Sequence, residues 1–357
     1  MNPDSTPSAP IILVDAPSIP GLAWRRLQLP DDLPGLAAVR AACAPYDGVD
    51  LLSIAERVPT AEDLARMLVP SASFDPSRDV LVVTVHENIV GWTAVDWWTE
   101  TDGTRLYLTL GWVMPEWRRR GIGTAMLHWA ERRCRESAAA HPGAGKDSYG
   151  ANASETEHDA TALLLNEGYS VAFTLLEMGL DDLSRLRGIG LPPGFVTRPL
   201  QPSDLPALFE SMNGSYSDHR FDEILHYEDW AKRQGDLGTW HVAWHEETGE
   251  IAGQVQTLIR NGRPEIEEVS VRAPFRRRGL ARALIARGLD ALREKGVSAV
   301  RLRTVLENPQ QAWRVYESVG FRVVKRFPRY RKELGIGELG VRESGIRGSR
   351  AETGTAT

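Results

Sequence analysis

Cysteine is scarce in this chain of 357 residues, with Cys43 and Cys134 the only two. Two cysteines make neither a disulfide framework nor a zinc cluster, so a reducing, cytoplasmic setting is expected. No cluster of His, Cys, Asp or Glu has the spacing of metal ligands, and no metal is expected. Long apolar runs are lacking too, which excludes a spanning helix and makes a membrane partner unexpected. The opening stretch MNPDSTPSAPIILVDAPSIP has no basic region and is rich in proline, so residues 1–20 are expected to form a disordered lead rather than a signal peptide. Net positive charge is also missing, the formal value being -6. Non-specific nucleic-acid binding depends on neutralising phosphates, so no nucleic-acid partner is expected. The composition is that of a globular protein, and the length suggests two domains.

Two arginine clusters stand out against this acidic background. Arg118-Arg119-Arg120-Gly121-Ile122-Gly123 recurs in the second half as Arg276-Arg277-Arg278-Gly279-Leu280-Ala281. Similar elements surround both copies in the same order, which marks an internal repeat. In the second half FVTRPL reads as a strand, and QPSDLPALFESM as a helix capped by Ser203 or Asp204. TWHVAWH, EIAGQVQTLIR and EIEEVSVR read as strands before the arginine helix; VSAVRLRTV, the helix PQQAWRVYESV and the strand FRVVKRF follow it. The first half runs in parallel: the strand LAWRRLQL, the helix DDLPGLAAVRAA, a hairpin turning at Glu87-Asn88, and the strand RLYLTLGWV. A polar insertion (137–150), the helix DATALLLNEG and the strand YSVAFTLLEMGL follow. The expected fold class is α+β: two tandem domains, each a mixed, mostly antiparallel sheet flanked by helices. Their expected bounds are 21–185 and 195–334, with a Gly- and Pro-rich linker at 186–194 and a disordered tail at 335–357.

A helix amino terminus has unpartnered N–H groups and a dipole that favours an anion. Glycine there lets a phosphate approach the backbone, and arginines add forked donors. A strand, then Arg-x-x-Gly-x-Gly/Ala, then an amphipathic helix thus makes a pyrophosphate cradle. The alternative, a tight turn with a solvated basic face, is weakened by the repeat: each copy has a valine five residues before its first arginine (Val113, Val271). No GK[ST] follows, and no G-x-G-x-x-G opens a βαβ unit, which excludes the other Gly-rich phosphate loops.

VSVRAPFRRRGLARAL followed by ENPQQAWRVYESVGF resembles the acetyl-CoA-binding core of the GCN5-related N-acetyltransferases, the GNAT family, and GWVMPEWRRRGIGTAML resembles the same core. The resemblance covers most of the chain as two GNAT-like domains, an arrangement similar to that of mycothiol synthases. It implies acetyl-CoA as cosubstrate. It implies that Val269, Ser270 and Val271 flank the pantetheine arm, which pairs with them like an added strand. It further implies that Arg276, Arg277, Arg278, Gly279, Leu280, Ala281 and Arg282 hold the pyrophosphate, and that Asn308 touches the arm. In the first half Val113, Arg118, Arg119, Arg120, Gly121, Ile122, Gly123 and Thr124 match these positions.

Acetyl transfer to an amine needs a base for the amine proton, an acid for the departing thiolate, and an N–H donor for the oxyanion. Glu267 is the candidate base, with Glu265 and Glu268 competing. Without a bulge Glu265 and Glu267 share a strand face and Glu268 points the other way; a bulge would change this. A merely solvated strand face is the alternative for EIEE. Tyr316 is the candidate acid, its phenol titrating near 10. Asn308, with Pro309 and Gln311 after it, also reads as a helix N-cap with a capping box. Aligning Gly168-Tyr169 with Gly320-Phe321 puts Leu164 and Thr156 where Tyr316 and Asn308 stand, and aligning the arginine clusters puts Thr109 where Glu267 stands. The first half is therefore expected to keep a cradle without catalysing.

Tyr216, Asp218, His219, Asp222 and Glu223 are expected to face the substrate, the acidic ones suiting a cation and His219 serving as a possible second base. The expected function is transfer of acetyl from acetyl-CoA to a primary amine of a small molecule by direct attack, performed by a monomer or homodimer. A mycothiol-synthase-like role in thiol biosynthesis, or acetylation of an amine-bearing antibiotic, is the alternative among enzymes. A non-catalytic acyl-CoA sensor or scaffold is the alternative of another class. A sensor has no need of both Tyr316 and Glu267.

Overall fold

The computed structural model describes residues 11–186, 188–215 and 226–335. The first half comprises β1 (Leu22–Arg26), α1 (Leu33–Tyr46), α2 (Ala61–Met67), α3 (Pro76–Asp79), β2 (Val80–Val85), β3 (Asn88–Thr99), β4 (Arg105–Val113), α4 (Ile122–Ala140), β5 (Asp147–Asn152), α5 (His158–Asn166) and β6 (Ser170–Leu180). The second comprises β7 (Phe195–Thr197), α6 (Leu205–Ser215), α7 (Tyr227–Lys232), β8 (Trp240–His245), β9 (Ile251–Arg260), β10 (Arg263–Val271), α8 (Leu280–Glu294), β11 (Val300–Val305), α9 (Ala312–Val319) and β12 (Arg322–Glu333).

Local sequence explains most of these elements. The apolar run of β2 is buried at every residue. In α8 the residues Leu280, Leu284, Ile285, Leu289 and Leu292 recur at helical spacing and are buried. The β2–β3 turn falls on His86 and Glu87, one residue before the expected place. Both have positive φ (47° and 69°), as a two-residue hairpin requires. Helix α6 is entered through a short turn in which Gln201 and Asp204 cap each other, rather than through a Ser203 cap. The polar segment 137–150 supplies the end of α4 and the start of β5. Apolar alternation is missing from β5 because Gly150 must sit against Leu106, where a Cβ would come within 2.8 Å of a leucine methyl.

One mixed, mostly antiparallel sheet of 12 strands runs through both tandem halves, in the order β1-β2-β3-β4-β5-β12-β6-β11-β10-β9-β8-β7. The final strand of each half has crossed to the other. β6 pairs antiparallel with β11, Leu175 opposite Val305 through Leu180 opposite Val300. β12 lies between β5 and β6, antiparallel to both. The cores follow: Tyr330 and Leu334 pack with first-half residues, and Leu176, Met178 and Leu183 with second-half ones. Glu177, fully buried on β6, accepts from Ser53 Oγ (2.5 Å) and the N–H groups of Ile54 and Ala55, which pins the loop after α1 to the central strands. A protease site inserted between Gly188 and Gly190 should therefore give two fragments that still co-elute on size exclusion without denaturant. Elution as separate species would show that the exchanged pairing does not hold the halves together.

The lead was expected to be disordered, but residues 11–20 pack on the first half. Ile11 N–H donates to Trp24 O (2.8 Å) and Leu13 is buried among core residues. Burying one such leucine contributes about 2 kcal/mol, which is enough to hold a short segment. Residues 1–10 and 336–357 lie outside the described residues.

Candidate active site

The two arginine-glycine turns share one backbone. In each, a short 3-10 turn (Pro115–Trp117; Ala273–Phe275) leads to an arginine whose Nε donates to the O of the valine five residues back, at 2.9 Å in both. The next arginine is left-handed (Arg119 φ 59°, Arg277 φ 64°), and so is the glycine at the helix N-cap (Gly121 φ 86°, Gly279 φ 80°). Successive N–H groups in such alternating conformations form a concave anion nest at the helix mouth.

The second nest is open. A Cβ built on Gly279 would meet nothing within 4 Å. It opens into a cleft of about 1300 Å³ lined by Val269, Ser270, Val271, Arg276, Arg277, Gly279, Leu280, Ala281 and Arg282 of the loop region, and by Asn308 and Tyr316. Arg276 donates to two backbone carbonyls, Val271 O and Ser215 O, so its side chain ties the loop down. Arg278 turns away onto the Phe275 ring, 5.9 Å from its centroid.

The first nest has the lead packed beside it, although Gly121 itself stays exposed. Pro17 of the lead lies 3.3 Å from where a Cβ of Gly121 would stand. Arg118 is held bidentately by Asp47 (2.6 and 2.8 Å), and Arg119 reaches Asp159 at 3.5 Å. The first turn thus has the same backbone as the second, with the lead packed against it. The lead is fastened by Asp15, which contacts His128, itself bonded to Glu167 at 2.9 Å. Burial works to lower the His128 pKa, but the bonds to Glu167 and Asp15 outweigh it and raise it. A raised folded-state pKa gives stability that is complete below the ordinary histidine value of about 6.5 and lost as pH rises through the folded value. Proteolysis at the lead should therefore speed up as pH rises through that window, and His128→Ala should remove the pH dependence. A flat profile in the parent protein would count against this fastening.

The halves also differ at the strand junction. β4 and β5 run parallel through five pairs, Arg105 with Asp147 to Thr109 with Ala151. β10 and β11 share two, Glu265 with Arg301 and Ile266 with Leu302, and then diverge. A bulge on β10 between Ile266 and Glu268 marks the divergence, while the β3–β4 register is unbroken. Among the described residues divergence leaves the gap side of Val269 to Val271 without a partner strand, in reach of an extended ligand. The bulge resets the faces. Ile266 and Val269 both pack toward the α8 core, while Glu268 and Ser270 pair with Gln256 and Gln254 and look toward α6, where Ser211 donates to Gln254 (3.0 Å). In place of Glu265 with Glu267, Glu265 and Glu268 therefore share a face.

The three glutamates have different neighbours. Glu265, nearly fully buried, pairs with Arg260 at 2.8 Å; burial, and then the charge of Glu267, raises its pKa. Glu267, the bulged residue, reaches Arg260 (3.2 Å) and Arg303 (3.6 Å). Glu268 is buried, lines the cleft, and acts electrostatically on Tyr316. Tyr316 is buried edge-on to Phe321. Burial first, then the Glu268 charge, pushes its phenol well above the ordinary tyrosine value.

Asn308 lines the cleft but caps no helix. Its Oδ1 accepts from Gln310 N–H (2.7 Å), and α9 begins at Ala312 behind Gln311. Gln311 is left-handed (φ 50°), which interrupts the turn and puts the helix start at Ala312. Tyr216, Asp218, His219, Asp222 and Glu223 lie outside the described residues. Sequence reasoning missed the first-half residues Thr101, Asp102 and Leu175, which line the same cleft. No local signal marks them, because strand exchange brings them there. Among the described residues no group of three or more His, Cys, Asp or Glu is placed to hold a metal, and no helix is long and apolar enough to cross a membrane.

Comparison with known proteins agrees with this architecture. The model of the acetyltransferase (GNAT) family matches residues 49–144 and 205–321, more than half of the chain. No curated protein matches the sequence. A GCN5-related N-acetyltransferase from Sphaerobacter thermophilus has a similar structure, with TM-score 0.72 and 23% identity over 88% of this chain and 96% of that one. A tandem GNAT protein from the clavulanic acid biosynthesis pathway gives TM-score 0.63 and 18% identity over 88% and 99%. At such identities the likeness is one of fold. The family match in both halves, together with the repeated nest, makes the chain a tandem member of the GNAT acetyltransferase family.

Proposed function

We propose that the second half transfers acetyl from acetyl-CoA to a primary amine of a small molecule by direct attack, and that the first half is catalytically silent. The observation that carries this is the single cleft joining the open nest, the diverging edge of β10, Tyr316 and Glu268. In this reading the helix mouth at Gly279 takes the pyrophosphate and the gap side of Val269 to Val271 takes the pantetheine arm. A β10 N–H facing the gap receives the oxyanion. The amine nitrogen attacks the thioester carbonyl, the C–N bond forms, and the C–S bond breaks. The amine proton goes to a carboxylate and the thiolate takes the Tyr316 proton.

Of the three glutamates, Glu268 suits the base best. It is buried in the cleft beside Tyr316, whereas Glu267 is engaged by two arginines. Release of free coenzyme A thiol, together with mass detection of the acetylated amine over an amine panel, tests the reading. Glu268→Gln should lower kcat by about 10²-fold or more, and Glu267→Gln by much less. The reverse order would return the base to Glu267. A protein that binds acetyl-CoA but acetylates no amine would favour the sensor alternative.

A further inference from the structure

We infer that the acceptor carries an anionic group, a carboxylate or phosphate, as well as its amine, and that Arg303 and Arg329 bind that group on the sheet floor between the two halves. This rests on the amine-acceptor reading above and narrows it to a class of substrate.

Strand exchange builds the floor. Arg303 on β11 pairs with Glu177 of β6, and Arg329 on β12 pairs with Phe173 of the same strand. Phe173 and Glu177 are four residues apart on one strand, so both arginines rise from one face of the sheet. Leu175 lies between them in register, and Leu175 and Arg303 line the cleft that holds Glu268 and Tyr316.

Most cations of this floor already have an acid at bonding distance. Lys325 has Glu56 (2.6 Å), Arg301 has Asp181 (2.6 Å), Arg331 has Glu100 (2.9 Å) and Arg260 has Glu265 (2.8 Å). Arg303 reaches Glu267 only at 3.6 Å. For Arg329 the described residues show no ion pair and no side-chain hydrogen bond, although it is partly buried. Burial, and then the charges of Arg303 and Arg331, push its pKa down to about 10, with Glu157 a small opposing influence. A guanidinium that has lost water and gained like charges is stabilised by an anion accepting its forked N–H groups.

The layout fits a bifunctional acceptor. Glu268 lies level with Arg303, so it stands three strands across and four residues along the sheet from Arg329, roughly 20 Å between backbones, and the two long side chains close about half of that gap. An amine at Glu268 and an anion at the arginines then lie within one small molecule. The Glu267–Arg303 pair lies between them on the cleft wall.

Calorimetry on the full chain with coenzyme A present tests this without turnover. The probes are 6-aminohexanoate against hexylamine for a carboxylate, and glucosamine 6-phosphate against glucosamine for a phosphate. At least one anionic probe should bind ten-fold or more tightly than its partner, and the pair that responds identifies the anion. Arg329→Gln should abolish that preference and leave coenzyme A affinity and Tm intact, because it removes an unpaired cation; Arg303→Gln should weaken it. Equal binding within both pairs, absence of binding by every probe, or a preference that survives both variants would overturn the inference. Anion-dependent binding without acetylation in the presence of acetyl-CoA would instead leave the anion site standing and remove the amine-transfer reading.

Discussion

Replacing Tyr316 with Phe lowers kcat by about 10²-fold and leaves acetyl-CoA affinity unchanged, as measured by steady-state thiol release and calorimetry. The substitution removes a proton donor and little else. The ring keeps its edge-on contact with Phe321, and the nest at Gly279 is untouched. The proposed acid role of Tyr316 rests on its setting. Burial disfavours the phenolate, and the nearby Glu268 carboxylate disfavours it further, so the raised pKa keeps the proton on oxygen throughout the neutral range. In the proposed step the departing thiolate takes that proton. With its pKa raised above the ordinary value of about 10, Tyr316 sets no alkaline limb below that pH. An alkaline fall in kcat at lower pH that disappears in Tyr316→Phe would contradict this. An unchanged kcat in Tyr316→Phe would remove tyrosine from the chemistry.

One acetyl-CoA is expected to bind per chain; replacing Gly279 with Val should weaken it at least 100-fold, whereas Gly121→Val should change its affinity less than two-fold. Both glycines are left-handed, so a β-branched residue strains either turn by about 1–2 kcal/mol. The difference lies in access. At Gly279 an added side chain would project into the open mouth where the pyrophosphate belongs. At Gly121 Pro17 stands beside the mouth, and Asp47 neutralises Arg118 there. Gly121→Val therefore costs stability, read as a lower Tm, and spares binding. Calorimetry gives both stoichiometry and affinity. Two equivalent sites would show that the lead yields to the ligand and that the first nest is functional.

Much of this protein is legible in the order of its residues. The arginine-glycine repeat fixes two helix mouths with matching left-handed positions, because few sequences tolerate that backbone and glycine does so without strain. Strand and helix periodicity locate most elements within a few residues. EIEE is different. Alternation alone assigns its side chains to faces, and one extra residue reverses the assignment. Nothing in the four letters says that the ladder slips between Ile266 and Glu268. Asn308 shows the same limit: its cap pattern is sound, but the chain makes a local turn first and starts the helix at Ala312.

Residue order alone carries the duplicated α+β plan, the two phosphate-type turns, and the presence of Tyr316 and a glutamate in one half but not the other. These depend on local backbone preference and residue type. Which turn has the lead packed against it, which glutamate lies beside Tyr316, and the exchange of β6 and β12 between halves come from tertiary packing. A strand's alternation reads the same whichever neighbour it pairs with, and a proline in the lead carries no mark of the glycine it will pack beside. Those outcomes depend on packing between segments far apart in the chain, as does the gathering of Arg303 and Arg329 on one face of β6.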